Sequence, residues 1–157
     1  MKETEAEVIV SKIKTSSRGV LGNMSEIIWA INPVHDNLAS MISYFRDYTS
    51  RFFEDTPVKC TIDFPEEVPE VSIAPELRRN LFLVLKESLN NILKHAFASN
   101  AYVEIKLPEN QIMMMIKDNG TGFDMSSSKK FSNGIKNMKR RMEEVGGSFE
   151  TVSYTHL

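Results

Sequence analysis

The chain has 157 residues, 41% of them hydrophobic and 25% charged, enough to bury one ordinary core with a segment left over. A net charge of −2 gives no reason to expect a protein that coats nucleic acid or an anionic membrane. The lone Cys60 excludes an internal disulfide or a cysteine-based zinc cluster, there is no signal-peptide pattern, and the longest apolar runs, Ile112 to Ile116 among them, are far too short to cross a bilayer. The chain as given is therefore expected to be soluble and cytoplasmic, making no membrane contact of its own.

Residues 1 to 16 are polar and carry no helix caps. From about Ser17 to Phe52 the positions Leu21, Met24, Ile28, Ile31, His35, Leu38, Ile42, Phe45, Thr49 and Phe52 recur at alternating steps of three and four. This is a heptad seam, and it predicts a long coiled-coil-like helix. The seam stays in phase through Pro33, which removes a backbone donor and crowds the carbonyl of Trp29, so a kink is expected there. A seam of this length has too little partner in its own chain and asks for a second helix, from another part of the protein or another copy. Trp29 lies off the seam.

From Val58 the pattern changes to strict alternation. Val58, Cys60, Ile62 and Phe64 fall on one face and Lys59, Thr61 and Asp63 on the other, which reads as a half-buried strand. Pro65, Pro69 and Pro75 make an extended connector, with Pro75 suited to a first helical turn. The helix that follows runs to about Phe97. Residues advance about 100° each, so Leu77, Leu81, Val84, Leu85, Ser88, Ile92 and Ala96 form an apolar or small stripe suited to packing on a sheet. Glu87, Asn91 and Lys94 share a flank of that stripe, with Asn80 one row back and His95 near the border.

Ala101, Val103, Ile105 and Leu107 alternate next, Pro108-Glu109-Asn110 turns, and Ile112, Met114 and Ile116 alternate back towards Asp118, as in a hairpin. Asp118-Asn119-Gly120-Thr121-Gly122-Phe123 then sets one carboxylate at a strand end before two glycines, a fixed acceptor beside backbone that can pass close to a flat ligand. Met125 to Asn133 reads as a mobile loop. Gly134 is expected to open a helix with Ile135, Met138, Met142 and Val145 on one side, closed by Gly146-Gly147. The basic run from Lys136 to Arg141 is by default a solvated face, and a final strand is expected to start at Ser148-Phe149-Glu150.

Three ordered stretches, Glu87 to Ala96 (ESLNNILKHA), Asp118 to Phe123 (DNGTGF) and Ser132 to Gly147 (SNGIKNMKRRMEEVGG), resemble the N, G1 and G2 boxes of the GHKL ATPase superfamily. The likeness covers roughly residues 58 to 150 and is strongest to the ATP-binding domain of bacterial sensor histidine kinases. Met24 to Pro33 also looks like the second helix of the dimerisation and phosphotransfer hairpin of such kinases.

The resemblance implies an α+β fold, a two-layer α/β sandwich of the Bergerat type with a mixed sheet, preceded by the long N-terminal helix. It divides the chain into a partial helical dimerisation segment at 1–55 and an ATP-binding domain at 56–157. The ligands implied are ATP and Mg²⁺. Asp118 would accept a hydrogen bond from the adenine amino group, and Gly120 and Gly122 would let the chain pass beside the base. Asn91 would give its amide oxygen to Mg²⁺, a hard cation that prefers oxygen. Glu87 matches the catalytic acid of the N box, Lys94 and His95 would face phosphates, and Gly134 with the helix start after it would cradle the phosphate chain.

The chemistry implied is transfer of the γ-phosphoryl to a histidine by positioning and charge stabilisation. The partners implied are a second copy, bound through the N-terminal helix, and a response regulator receiver domain; the parent sensor can be membrane-anchored. In the resembling family the acceptor sits on the first hairpin helix beside acidic residues, so His35 is expected to be a packed histidine, and the fragment is not expected to phosphorylate itself on the usual residue. The chain also stops before the glycine-rich turn and last strand that normally finish the domain. Two other readings are another GHKL enzyme, such as a serine kinase, and a non-catalytic dimerisation module with a vestigial cleft. The heptad helix with Asn32-Pro33 counts against the first, and intact Glu87, Asn91 and Asp118 against the second.

Overall fold

The structure is a computed structural model that describes residues 6, 7, 9, 10, 12, 13, 24–30, 32–122 and 129–153, with the side chains of 129–132 left out. Seam positions Leu21 and Ile31, the residue Phe123, the Met125 to Ser128 part of the expected loop and the Phe131 side chain lie outside the described residues. The chain forms two compact units, residues 1–35 and 36–157.

In the first unit the described residues from 6 to 13 and all of 24–30 are helical. Ile9, Val10, Ile13, Met24, Ile27 and Ile28 are exposed, while Trp29 is buried with its ring 6.1 Å from that of His35. At Pro33 the helix does not kink and continue, as the unbroken heptad phase led us to expect; it ends. Asn32 accepts from His35 N–H through its carbonyl at 3.1 Å and from Val34 N–H through Oδ1 at 3.1 Å, closing a 3₁₀ turn over Pro33–His35. The missing proline donor and the two asparagine acceptors together favour this turn over another α-helical one.

The second unit begins with α1, Leu38–Phe53. Asn37 is extended and its Oδ1 accepts from Ser40 N–H at 2.8 Å, which starts this helix afresh. Asn37→Ala is expected to cost about 1 kcal/mol in a urea unfolding titration, with Asn37→Asp close to the parent. The downstream half of the seam finds its partner in its own chain: Leu38, Ile42, Phe45 and Thr49 are buried, with Phe45 6.0 Å from Phe82. Tyr44 and Tyr48 set their edges against the same Phe82 ring, at 5.5 and 4.9 Å. The compact body therefore starts at residue 36, whereas the reading of the sequence divided the chain after residue 55.

The sheet has three strands, β1 Lys59–Asp63, β2 Asn100–Lys106 and β3 Met113–Asp118, in the order β1-β2-β3. β1 runs parallel to β2, and β2 antiparallel to β3. The β2–β3 hairpin turns where expected, on Glu109 and Asn110, both at positive φ, with Gln111 N–H bonded to Pro108 O at 2.8 Å. Between β1 and β2 the chain forms α2, Pro75–Asn91, which passes into a single π turn at Ile92–Ala96. The last helix is α3, Lys129–Glu144, closed by Gly146 at φ +73° and by Gly147 N–H on Met142 O at 2.8 Å.

This is the α+β fold with a mixed sheet that the resemblance implied. Alternation puts Ala101, Val103 and Ile105 in the core with Leu81, Val84, Leu85 and Leu89 of α2. The other sheet face is polar. There the Tyr102 hydroxyl lies 2.9 Å from Asp63 and 3.1 Å from Glu104, and Lys106 pairs with Glu104 at 2.7 Å. The hydrogen bond to the Asp63 carboxylate holds the Tyr102 proton, pushing its pKa up to about 12. Burial similarly pushes the Cys60 thiol up to about 11, which makes it a poor nucleophile.

Two expectations near the C-terminal end are corrected. Gly134 does not open α3 but lies inside it, because the helix begins at Lys129. Ser148 to Glu150 form no strand: residues 147–153 have no regular structure and pair with no neighbour in a ladder.

Candidate functional site

One cavity of about 260 Å³ opens between α2, the inner side of β3 and α3. Its apolar wall comes from Leu81 and Val84 of α2, Met114 and Ile116 of β3, and Ile135, Met138 and Met142 of α3. Its polar wall includes Ser88, Asn91, His95 and Asp118, with Gly122 beside them, and residues 148–152 line it from the C-terminal segment. An apolar slot with a few convergent polar groups suits a flat, partly polar ligand.

Each polar group is positioned by a local feature. Asn91 is the last residue of regular α-helix and His95 sits in the π turn, whose wider winding changes the angular order assumed for a continuous α-helix. His95, itself exposed, thus lines the cavity, while Lys94 next to it, also exposed, does not. Asp118 ends β3, and its Oδ1 accepts from Gly120 N–H at 2.8 Å. Gly122 has φ +72°, a left-handed conformation that glycine adopts without strain.

Four of the sequence-derived site residues, Glu87, Lys94, Gly120 and Gly134, stand outside the cavity lining. Gly120 lies against the π turn: a Cβ there would be 2.7 Å from the Ala96 carbonyl carbon and 2.8 Å from its Cβ. Gly134 lies against Glu87, whose Oε1 would be 2.5 Å from a Cβ on that glycine. The structure therefore brings Asn91, His95, Asp118 and Gly122 around one space, and pairs Glu87 with Gly134 behind it.

Reading the sequence missed several supports of this arrangement. The Ser88 hydroxyl lies 3.4 Å from Met138 Sδ and Arg141 Nη1 3.4 Å from Asn80 Oδ1, two contacts that hold α3 along α2. Asn80 is fully buried, and its Nδ2 has no hydrogen-bond partner among the described residues. Asn119 was given no role of its own within the Asp118 to Phe123 stretch, yet its side chain makes three hydrogen bonds to Ser99 and Asn100. An asparagine next to a strand-end aspartate is the signal that could have drawn attention to it.

Comparison with known proteins agrees with this geometry. Residues 76–155 match the family described as histidine kinase-, DNA gyrase B- and HSP90-like ATPases. The sensor histidine kinase LiaS of Bacillus subtilis is 33% identical over 95 residues, covering 60% of this chain and 26% of that protein. The sensor protein VraS of Staphylococcus epidermidis is 29% identical over 99 residues, covering 63% and 28%. The chain thus spans about a quarter of the length of these relatives. The histidine kinase domain of a blue-light activated histidine kinase from Erythrobacter litoralis EL346 shares the fold, with a TM-score of 0.63 over 97% of this chain and 81% of that one at 16% identity. No helix among the described residues is long and apolar enough to cross a membrane. On the strength of the family match and of a cavity bounded by the three expected stretches, the chain belongs to the histidine kinase-, DNA gyrase B- and HSP90-like ATPases.

Proposed function

We propose that this chain is the Mg-ATP-binding catalytic part of a sensor histidine kinase, which transfers the γ-phosphoryl of ATP to a histidine for relay to a response regulator receiver domain. The observation that carries this reading is the convergence of Asn91, His95, Asp118 and Gly122 on one cavity with an apolar wall. Asp118 accepts from the adenine amino group, and the slot beside Gly122 takes the base. Asn91 offers one neutral oxygen, and no group of three or more acidic, His or Cys side chains that could hold a metal occurs among the described residues. That donor set fits Mg²⁺ with phosphate and water oxygens as its other ligands. The ion neutralises phosphate charge when bound; orienting the nucleotide falls to the protein groups.

His95 and the flexible Lys94 attract the phosphates, and the N-terminal end of α3 favours anions through its dipole. Glu87 orients a water or takes a proton from the attacking group. The acceptor is a histidine other than His35, which lies in a 3₁₀ turn with its ring tilted against that of Trp29. Exposed Met24, Ile27 and Ile28 support a homodimer formed through the N-terminal helical unit.

The test is calorimetric titration of Mg-ATP into the chain and into Asp118→Ala. The parent is expected to bind, and the variant to bind about thirtyfold more weakly, the worth of a hydrogen bond to a charged acceptor. Equal binding by the two folded proteins would remove Asp118 from the site and the adenine reading with it.

A further inference from the structure

We propose that Asn119 is a positioning residue for the adenine-binding carboxylate, an inference that rests on the reading of Asp118 given above. Asp118 is exposed at the end of β3, so packing does not fix its side chain. What orients it is the bond from Gly120 N–H to Oδ1 at 2.8 Å, and this bond is only as well placed as the backbone of Gly120.

That backbone is tied on both sides. Before it, Asn119 Oδ1 accepts from Ser99 N–H at 3.0 Å and Asn100 N–H at 2.9 Å, while Nδ2 donates to Ser99 Oγ at 2.9 Å. Its own N–H donates to Asn100 O at 3.2 Å. After it, Thr121 N–H donates to Ala96 O at 2.9 Å. Asn119 therefore locks the loop after β3 onto the segment between the π turn and β2.

The chemistry required is specific. One acceptor must serve two adjacent N–H groups while a second polar atom reaches the Ser99 hydroxyl, and a side chain of this length does both. Aspartate keeps the shared acceptor, and its second oxygen can accept from the hydroxyl. Alanine leaves two backbone donors to water and frees the loop. All these groups are exposed, so water can replace the lost partners and the cost to global stability is small. The cost falls on the orientation of Asp118.

The experiment is competition binding of Mg-ATP and Mg-ITP, nucleotides that differ at the purine 6-position where Asp118 discriminates amino from oxo. Parent, Asn119→Ala and Asn119→Asp are compared, with thermal unfolding followed alongside. Asn119→Ala is expected to lower the ratio of ATP to ITP affinity about tenfold. Asn119→Asp is expected to restore most of that preference, and both variants to unfold near the parent temperature. A general loosening would weaken both nucleotides alike and leave the ratio unchanged; that outcome, or an unchanged ATP affinity in Asn119→Ala, would overturn the proposal. If the parent binds ATP and Asp118→Ala binds it about thirtyfold more weakly, the adenine reading stands and the Asn119 ratio alone decides; a parent that binds no ATP overturns both.

Discussion

Replacing Gly120 with alanine is expected to destabilise the protein by about 3 kcal/mol and to abolish measurable Mg-ATP binding, because the new methyl group has no room. Gly120 is not a positive-φ glycine; its requirement is one of close approach. A Cβ would stand 2.7 Å from the carbonyl carbon of Ala96 and nearer still to its oxygen, the atom that accepts from Thr121 N–H. Relief requires moving either the π turn, which carries His95, or the loop, whose Gly120 N–H holds the Asp118 carboxylate. Either movement pulls apart two walls of the same cavity. Gly122→Ala makes the natural comparison, since it adds only the roughly 1 kcal/mol strain of a left-handed alanine. Urea titrations of the two variants check the order, and a Gly120→Ala protein as stable as Gly122→Ala would contradict the packing argument.

The second large effect is expected at Asp36. Arg78 is fully buried in α2, with Nη1 2.6 Å from Asp36 Oδ1, whose side chain is 32% exposed. Asp36→Ala takes a carboxylate from a guanidinium that cannot reach bulk water, at a cost of about 3 kcal/mol. Arg78→Met removes the charge and refills much of the volume, so it should cost less. The pair lies where Ile73 N–H bonds to Asp36 O at 3.0 Å and Leu38 N–H to Val71 O at 2.9 Å. Loss of the ion pair should therefore speed amide exchange at Leu38 and Ile73 before it affects β2. Denaturant midpoints measure the energy and hydrogen exchange the locality; a larger loss in Arg78→Met than in Asp36→Ala would invert the argument.

The strands and the hairpin were legible because a half-buried ladder imposes a period of two, and Val103 or Ile105 could not be exchanged with Tyr102 or Glu104 without inverting the sheet. Helix α2 was legible on one face only. Its sheet-facing stripe was found, but Phe82, Arg78 and Leu89 are buried as well, since α1 and α3 both pack on this helix. One helix with three neighbours has no single apolar stripe for periodicity to detect.

The end of the first helix was missed for another reason. Leu38, Ile42 and Phe45 happen to continue the phase of Met24 and Ile28, so spacing alone concealed a break that Asn32, Pro33 and Asn37 spelled out chemically. The early start of α3 was passed over because Lys129, Lys130, Ser132 and Asn133 are polar, although Phe131 stands four residues before Ile135 and extends the phase of Ile135, Met138 and Met142. Among the site residues, Asp118 and Asn91 could be paired as cavity neighbours from their motifs; that His95 and not Lys94 stands at the wall depends on a winding change with no compositional mark.

That winding change has a consequence for how the helix can vary. A π turn is an α-helix with one residue inserted, so everything after it is rotated relative to everything before. Residues up to Leu89 keep the phase that the hydrophobic interior demands, and His95 and Ala96 take the phase that the cavity demands. The insertion acts as a phase shifter, and it uncouples two sets of constraints that a uniform helix would force onto one wheel. Deleting Leu93 or Lys94 should restore a regular helix, swing the imidazole of His95 away from the wall, and leave the interior packing of α2 as it is.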